Sequence, residues 1–450
     1  MVEIPLLSPC ARALRGGDAS TGAVDSNLQV QTVQEIYFEN HANTRLDERV
    51  LAEMLPYFRE YYGNAQSMHS LGFRSKDAIE KARQQVAHLI GGQESEIYFT
   101  SCASEANNLA LKGVAAAYGQ KGKHLIVSEI EHFSVLNAAR RLGQQGFEVT
   151  LLPVDQYGLV SPAAVVKAIR EDTILVSIQH ANPEIGTLQP IAEIARLCRE
   201  RGVPCHTDAV CTAGIIPLAV KDLGVDLLTL SGAQFYGPKG AAALFIKKGV
   251  RIVPQIDGGI QENGRRAGTE NVPALVGFGK ACELVEGERE ENYRHVLRLR
   301  DRLMAELPEK IPHIYFNGHP QQRLPNNINL SVEFVEGEGM FLFLDQKGIY
   351  VSSGSACASK ALKMSHVLTA IQVDPAVGQG SILLTLSKYN RDEDVDYLLA
   401  EFPPIVAKLR NMSPLYSYFQ KTGNRRAAGP GTDYEQEHEH AECPVSPEEE

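Results

Sequence analysis

Residues able to do chemistry gather at the ends of apolar runs in this chain. Thr100–Asn108 follows the run Ile97–Phe99 and opens a helical pattern. Backbone N–H groups at a helix start hold an anion such as phosphate without any charged side chain; an ordinary serine N-cap is the plain alternative. Glu131-His132 ends a second run, where an imidazole can move protons near neutral pH or only fill a structural place. His206-Thr-Asp208 closes a third. A carboxylate buried there without a partner costs several kcal/mol, so Asp208 must find water, a cation, a proton or a ligand. Cys357 stands among Ser, Gly and Ala residues in Val351–Ser359, and small neighbours let a second thiol approach. His438, His440 and Cys443 have the donor types to grip a soft divalent metal, although an acidic tail with scattered histidines is the simpler account.

The elements that must position these groups alternate. Strand patterns at Ile97–Phe99, Leu125–Val127, Val149–Leu152, Ile174–Ile178, Val203–His206 and Leu227–Leu230 are interleaved with helical patterns near 105–118, 134–144, 162–170 and 190–201. Such alternation predicts an α/β domain with a mostly parallel sheet, and places function on loops at the strands' C-terminal ends. Leu230–Gly240, rich in Ser and Gly, joins two apolar runs. A charged helix over Gly287–Leu307 and shorter strands at Ile328–Val332, Gly348–Val351 and Ile382–Leu386 predict a smaller α/β lobe. The chain thus divides into a loose extension (1–33), a large domain (49–283), a small domain built from 34–48 with 284–412, and a disordered acidic tail (413–450).

Composition sets outer bounds. The net charge of −11 argues against nucleic acid as the main partner, and no apolar run is long enough for a membrane helix. Eight cysteines without Cys-x-x-Cys spacing read as reduced thiols. With no apolar signal core at the N-terminus, this predicts a cytoplasmic protein.

Leu230–Gly240 resembles the cofactor-lysine segment of the cysteine desulfurases, pyridoxal-phosphate (PLP) enzymes that take sulfur from cysteine. That family reads Ser-Gly/Ala-His-Lys before Phe/Ile-Tyr-Gly-Pro-Lys-Gly; this chain has Ala233 and Gln234 in place of the His and the Schiff-base Lys. Thr100–Asn108, Glu131-His132, His180–Gly186, His206–Cys211, Gly258–Asn271, Val351–Ser359 with Ser365–Leu368, and Ser381–Asn390 resemble further segments of the family. The likeness runs from about Ile36 to Leu409, and the chain is identified as a member of the long-loop NifS/IscS-like branch. The resemblance implies a fold-type I PLP-dependent transferase and a dimer that serves an iron–sulfur scaffold protein. It places PLP phosphate at Ala103, Ser104 and Ser231, and sets His132 against the pyridine ring. Asp208 falls on the carboxylate that bonds the pyridine nitrogen. Thr269 reaches to the partner's phosphate, and Cys357 is the persulfide-forming nucleophile.

Six changes fall in the implied pocket: Cys102, Pro183, Cys211, Ala233, Gln234 and Leu383. A Gln amide nitrogen is not nucleophilic and cannot form a Schiff base. Leu383, where the family has the Arg that forks onto the substrate carboxylate, forfeits about 3–5 kcal/mol of pairing. The favoured reading is therefore a PLP-independent pseudoenzyme of iron–sulfur assembly, in which Cys357 passes sulfur or ligates a cluster at a shared site. Two alternatives stay open: a non-catalytic partner of an active paralogue, and a residual PLP-dependent desulfurase.

Overall fold

The computed structural model describes residues 35–353 and 364–424. In chain order its strands are β1 (Ile36–Tyr37), β2 (Ile97–Thr100), β3 (His124–Ser128), β4 (Glu148–Leu152), β5 (Thr173–Ser177), β6 (Cys205–Asp208), β7 (Leu227–Ser231), β8 (Ala242–Ile246), β9 (Ile314–Asn317), β10 (Asn327–Val332), β11 (Ile349–Tyr350) and β12 (Ser381–Thr385). Seven of them form one sheet in the order β2-β8-β7-β6-β5-β3-β4. All its pairings are parallel except those of β8, which runs antiparallel to both β2 and β7.

The runs of apolar residues in β3, β5, β7 and β8 follow from burial on both faces. Ile126, Val176, Leu228 and Phe245 pack into one core, and Leu125, Val127, Leu175, Leu227 and Leu244 into the core on the opposite face. The strand order reverses at β3, which has β4 on one side and β5 on the other. That reversal opens a crevice at the strands' carboxyl ends, the usual place for a ligand in such sheets.

A third core joins Ile36 and Phe38 to β10, β12 and the helix Asp392–Met412. It is covered by the antiparallel sheet β12-β10-β9, while β1 pairs with β11. This core and the first meet along one helix, Val272–Lys310: Val285 belongs to the first and Val296 to the third. The charged half alone was legible as a helix from Gly287. The first half is buried nearly all round, so it lacks a polar stripe. Gly279 lets it approach the helix Ser70–Leu89 closely; a Cβ there would meet Ala82 at 2.7 Å.

One expectation is corrected. The tail was expected to lose order from residue 413, but Pro414–Thr422 is helical, opened by the Ser413 side chain accepting from Tyr416 N. Phe419 stacks on Phe334, ring centroids 4.8 Å apart, so aromatic contacts anchor this turn to the small lobe.

Candidate active site

A cavity of about 420 Å³ lies at the carboxyl ends of β2, β3, β5, β6 and β7. Its walls are the loops those strands release: Ser101–Ser104, Ile130–Phe133, Gln179–Glu184, Asp208–Cys211 and Ser231–Gln234, closed by His41–Asn43, Lys239 and His366. The parallel strands end together, so short loops far apart in sequence converge. This is the placement the alternating pattern predicts.

Six of the candidate residues meet here: Ala103, Ser104, His132, Asp208, Ser231 and Gln234. Ala103 and Ser104 begin the helix Ala103–Tyr118, whose N-cap is Cys102 in extended conformation. First-turn N–H groups have no partner inside a helix, so this end sets unpaired donors at the cavity wall. Asp208, the last residue of β6, is 9% exposed; Oδ2 accepts from Asn107 Nδ2 at 2.7 Å and Oδ1 from Val210 N at 3.0 Å. The same Asn107 amide donates to Ser134 Oγ at 2.9 Å. His132 caps the helix Phe133–Gln144, its Nδ1 accepting from Ser134 N at 3.1 Å. That bond leaves Nε2 as the protonated nitrogen of the neutral ring.

Gln234 ends the turn Gly232–Gln234 that follows β7. Its Nε2 donates to Ala42 O at 2.9 Å, and its Oε1 is buried without a partner. Because a backbone carbonyl can only accept, this bond fixes which end of the amide is nitrogen. The loop is pinned from the same side: Thr44 N donates to Ala233 O at 2.8 Å, and Thr44 Oγ1 accepts from Tyr236 N at 2.6 Å. Tyr236 is held at φ 67°, a region that non-glycine residues rarely enter.

Thr269 is exposed and does not line this cavity, and Cys357 lies outside the described residues. Of the segments flanking Cys357, the one that follows it comes to the site. Ser352 bridges to Leu383, and Ser365 Oγ donates to Glu184 Oε2 at 2.6 Å. His366 lines the wall, with its ring 4.7 Å from Phe133. Of the six substitutions, Cys102, Pro183, Cys211, Ala233 and Gln234 are on the wall; Leu383 is fully buried in β12, away from it. Burial and the Asp208 charge push the Cys211 thiol up, so it stays protonated.

Three wall groups carry no role in the sequence reading. Glu131 is wholly buried; its Oε1 accepts from Ser128 Oγ at 2.6 Å and Gln179 N at 2.9 Å, while Oε2 has no partner. Burial first, and then the Asp208 charge, push its carboxyl up to about 8. Glu184 is raised by burial to about 7 and keeps Oε1 unpaired. His366 is lowered by burial, and its Nδ1 also lacks a partner. The available signal was a Glu sitting directly beside a buried strand end, where solvent cannot screen it.

The aminotransferase class-V family model matches residues 36–398. The chain belongs to the aminotransferase class-V family. Within it the chain is a homologue of the IscS/NifS cysteine desulfurases. It is 53% identical over 380 residues to the cysteine desulfurase IscS of Methanosarcina thermophila, covering 84% of this chain and 94% of that protein. To the IscS of Dictyoglomus turgidum it is 48% identical over 381 residues, 85% and 97% covered. A NifS-like protein of known structure superposes with a TM-score of 0.79 at 39% identity, covering 84% of this chain and all of that one. A NifS-like protein from Rickettsia africae gives 0.76 at 32%, covering 83% of this chain. The fold is thus that of the fold-type I PLP enzymes.

Family membership implies PLP, and the donor set can be tested against it. The helix start at Ala103, the Asp208 carboxylate and the His132 imidazole fit the phosphate and the pyridinium ring of such a group. Gln234 brings an amide, not a reactive amine, to the same wall. Among the described residues lining the cavity, Lys239 is the single amine, and it is exposed beyond the Gly237-Pro238 turn.

Proposed function

We propose that this protein serves sulfur transfer in iron–sulfur cluster assembly, using Cys357 as a persulfide carrier and not PLP-anchored desulfuration. The observation that carries the reading is Gln234: an amide, hydrogen-bonded to Ala42 O, at the position that the resemblance gives to the Schiff-base Lys. When bound, PLP supplies an electron sink through its protonated ring, and Asp208 is the residue that would hold that proton. Without a covalent anchor and a proton-shuttling amine, the chain's own rate contribution falls by about 10²–10⁴-fold.

Sulfur then arrives already as a persulfide. The Cys357 thiolate attacks the terminal sulfur of a donor persulfide; the donor's S–S bond breaks, the donor leaves as its thiolate, and no net oxidation occurs. The relatives at 45–53% identity are named as cysteine desulfurases, which supports a dimer working with an iron–sulfur scaffold protein. An alternative role for Cys357, as a ligand of a shared cluster, uses the same thiolate.

The deciding measurement is the visible spectrum of the purified protein before and after PLP and then cysteine. The expected result is no aldimine band and no change with cysteine. In parallel, a protein persulfide donor should add one sulfur to Cys357 by mass spectrometry and add none in Cys357→Ser. A chromophore that shifts with cysteine, or sulfur released from free cysteine, overturns the reading.

A further inference from the structure

The cavity lost its amine but kept the walls that would grip a ring and a phosphate. Ten buried side-chain polar atoms among the described residues have no hydrogen-bond partner, and four of them belong to residues on this one wall: Glu131, Glu184, Gln234 and His366. Buried polar groups are as a rule paired, and an unmet one costs about 1–3 kcal/mol, so the gathering of four at a single cavity points to a ligand site. Gln234 is the informative member. Its Nε2 is spent on Ala42 O, so the atom left unpaired is a carbonyl oxygen, which accepts and cannot donate. Where the resemblance puts a basic amine, a residue of the wall therefore keeps an unspent acceptor.

We propose that this cavity selects a phosphorylated pyridine carrying an amine, pyridoxamine 5′-phosphate, over the aldehyde form of the same molecule. An aldehyde brings a second acceptor against Gln234 Oε1, whereas an aminomethyl group brings N–H donors, charged at neutral pH, and needs no covalent anchor. Asp208, paired so far with Asn107 and the Val210 backbone, holds the ring nitrogen's proton, and the first turn at Ala103 and Ser104 takes the phosphate. The inference rests on the reading that position 234 has lost its Schiff-base function, and adds that the pocket remains a binding site. It requires no chemistry at the bound ring.

Equilibrium dialysis of the full-length protein against pyridoxamine 5′-phosphate and pyridoxal 5′-phosphate tests it, each sample also being treated with borohydride and digested for mass spectrometry. The expected result is at least about tenfold tighter binding of the amine form, the worth of one charge-assisted hydrogen bond. Gln234→Leu should remove that preference, and Asp208→Asn should weaken both forms. Gln234→Lys should reverse the preference and yield a reducible adduct at position 234. Equal or tighter binding of the aldehyde form without an adduct overturns this inference alone, as does binding of neither form, or a preference that survives in Gln234→Leu. A reducible adduct on Lys239 in the unaltered protein, lost in Lys239→Ala, overturns the underlying reading as well.

Discussion

Glu262 and Glu131 are both buried carboxylates, 8% and 0% exposed, and the chain treats them in opposite ways. Glu262 grips Arg83 through two bonds, 2.7 and 2.8 Å, and its Oε2 also accepts from Phe99 N at 2.8 Å. It thereby ties the loop 257–271 to the long helix Ser70–Leu89 and to β2. Its own backbone, at φ 50°, and that of Asn263, at φ 55°, bend to make that reach. Glu131 has no cation, one satisfied oxygen and one bare one. Glu262 is fully partnered and joins three elements, whereas Glu131 is half-partnered and lines the cavity. Gly258–Asn271, the segment with the strongest family likeness, is thus explained largely by architecture. Arg266 adds to it by donating to Glu105 at 2.9 Å, beside the helix that faces the cavity.

The largest expected effect breaks the satisfied site. Glu262→Ala leaves the Arg83 guanidinium buried against Ile97 O, with only the half-exposed Glu80 for charge. Urea unfolding should show a loss of about 3–5 kcal/mol, as for other buried pairs broken on one side; a loss below about 1 kcal/mol would show that water reaches the pair and that the clamp is not structural.

Glu131→Gln tests the unsatisfied site through pH. A folded-state value raised to about 8 means that the native protein binds a proton the unfolded chain releases above about 4.5. Stability from this group is therefore full below about 4.5 and is lost as pH rises to about 8. Glu184, raised to about 7, acts in the same direction. The expected outcome is a melting temperature that falls from pH 6 to pH 8.5 in the unaltered protein and falls clearly less in Glu131→Gln. Equal slopes would mean that Glu131 is ionised in the folded state.

Much of this was legible in the sequence, and the misses have causes. Every strand of the large sheet was read near its observed place because each carries an apolar run between turn residues. The largest slip, Val203–His206 against the observed Cys205–Asp208, moves Asp208 from beyond the strand onto its end. Pairing of His206 with Leu227 and Asp208 with Thr229 sets that register, and pairing is not a local property. Ala103, Ser104, His132, Asp208, Ser231 and Gln234 were named through the family resemblance, and they line one cavity because strand ends converge in this sheet type. Glu131, Glu184 and His366 were passed over because their significance is the missing partner, which only three-dimensional packing reveals. The early start of the helix at Val272 escaped for a related reason: its first turns are enclosed by Met54 and Ala82, so the polar face that would have betrayed a period is absent.

Arg266→Ala probes the border between the two regions. The Arg266–Glu105 pair is about four-fifths buried on both sides, at 20% and 18% side-chain exposure, and Glu105 also receives Ser101 N and Oγ. Because Glu105 retains those bonds, the expected loss is about 1 kcal/mol by urea unfolding, well below that of Glu262→Ala. A loss equal to that of Glu262→Ala would extend the clamp as far as the cavity rim.

The smallest effect calibrates the others. Arg196 meets Glu200 at 2.5 Å one turn along the helix Ile191–Glu200, but both side chains are about half exposed. Solvent screens such a pair, and ordering two long side chains offsets most of the attraction, so Arg196→Ala should cost at most about 0.5 kcal/mol and less still in high salt. Its distance is shorter than either Arg83–Glu262 bond. If the two substitutions nevertheless differ several-fold in cost, burial and the number of satisfied partners, not ion-pair distance, set the worth of a charge in this protein. By the same criterion Glu262 is a structural joint, and Glu131, wholly buried with one oxygen unpaired, is not.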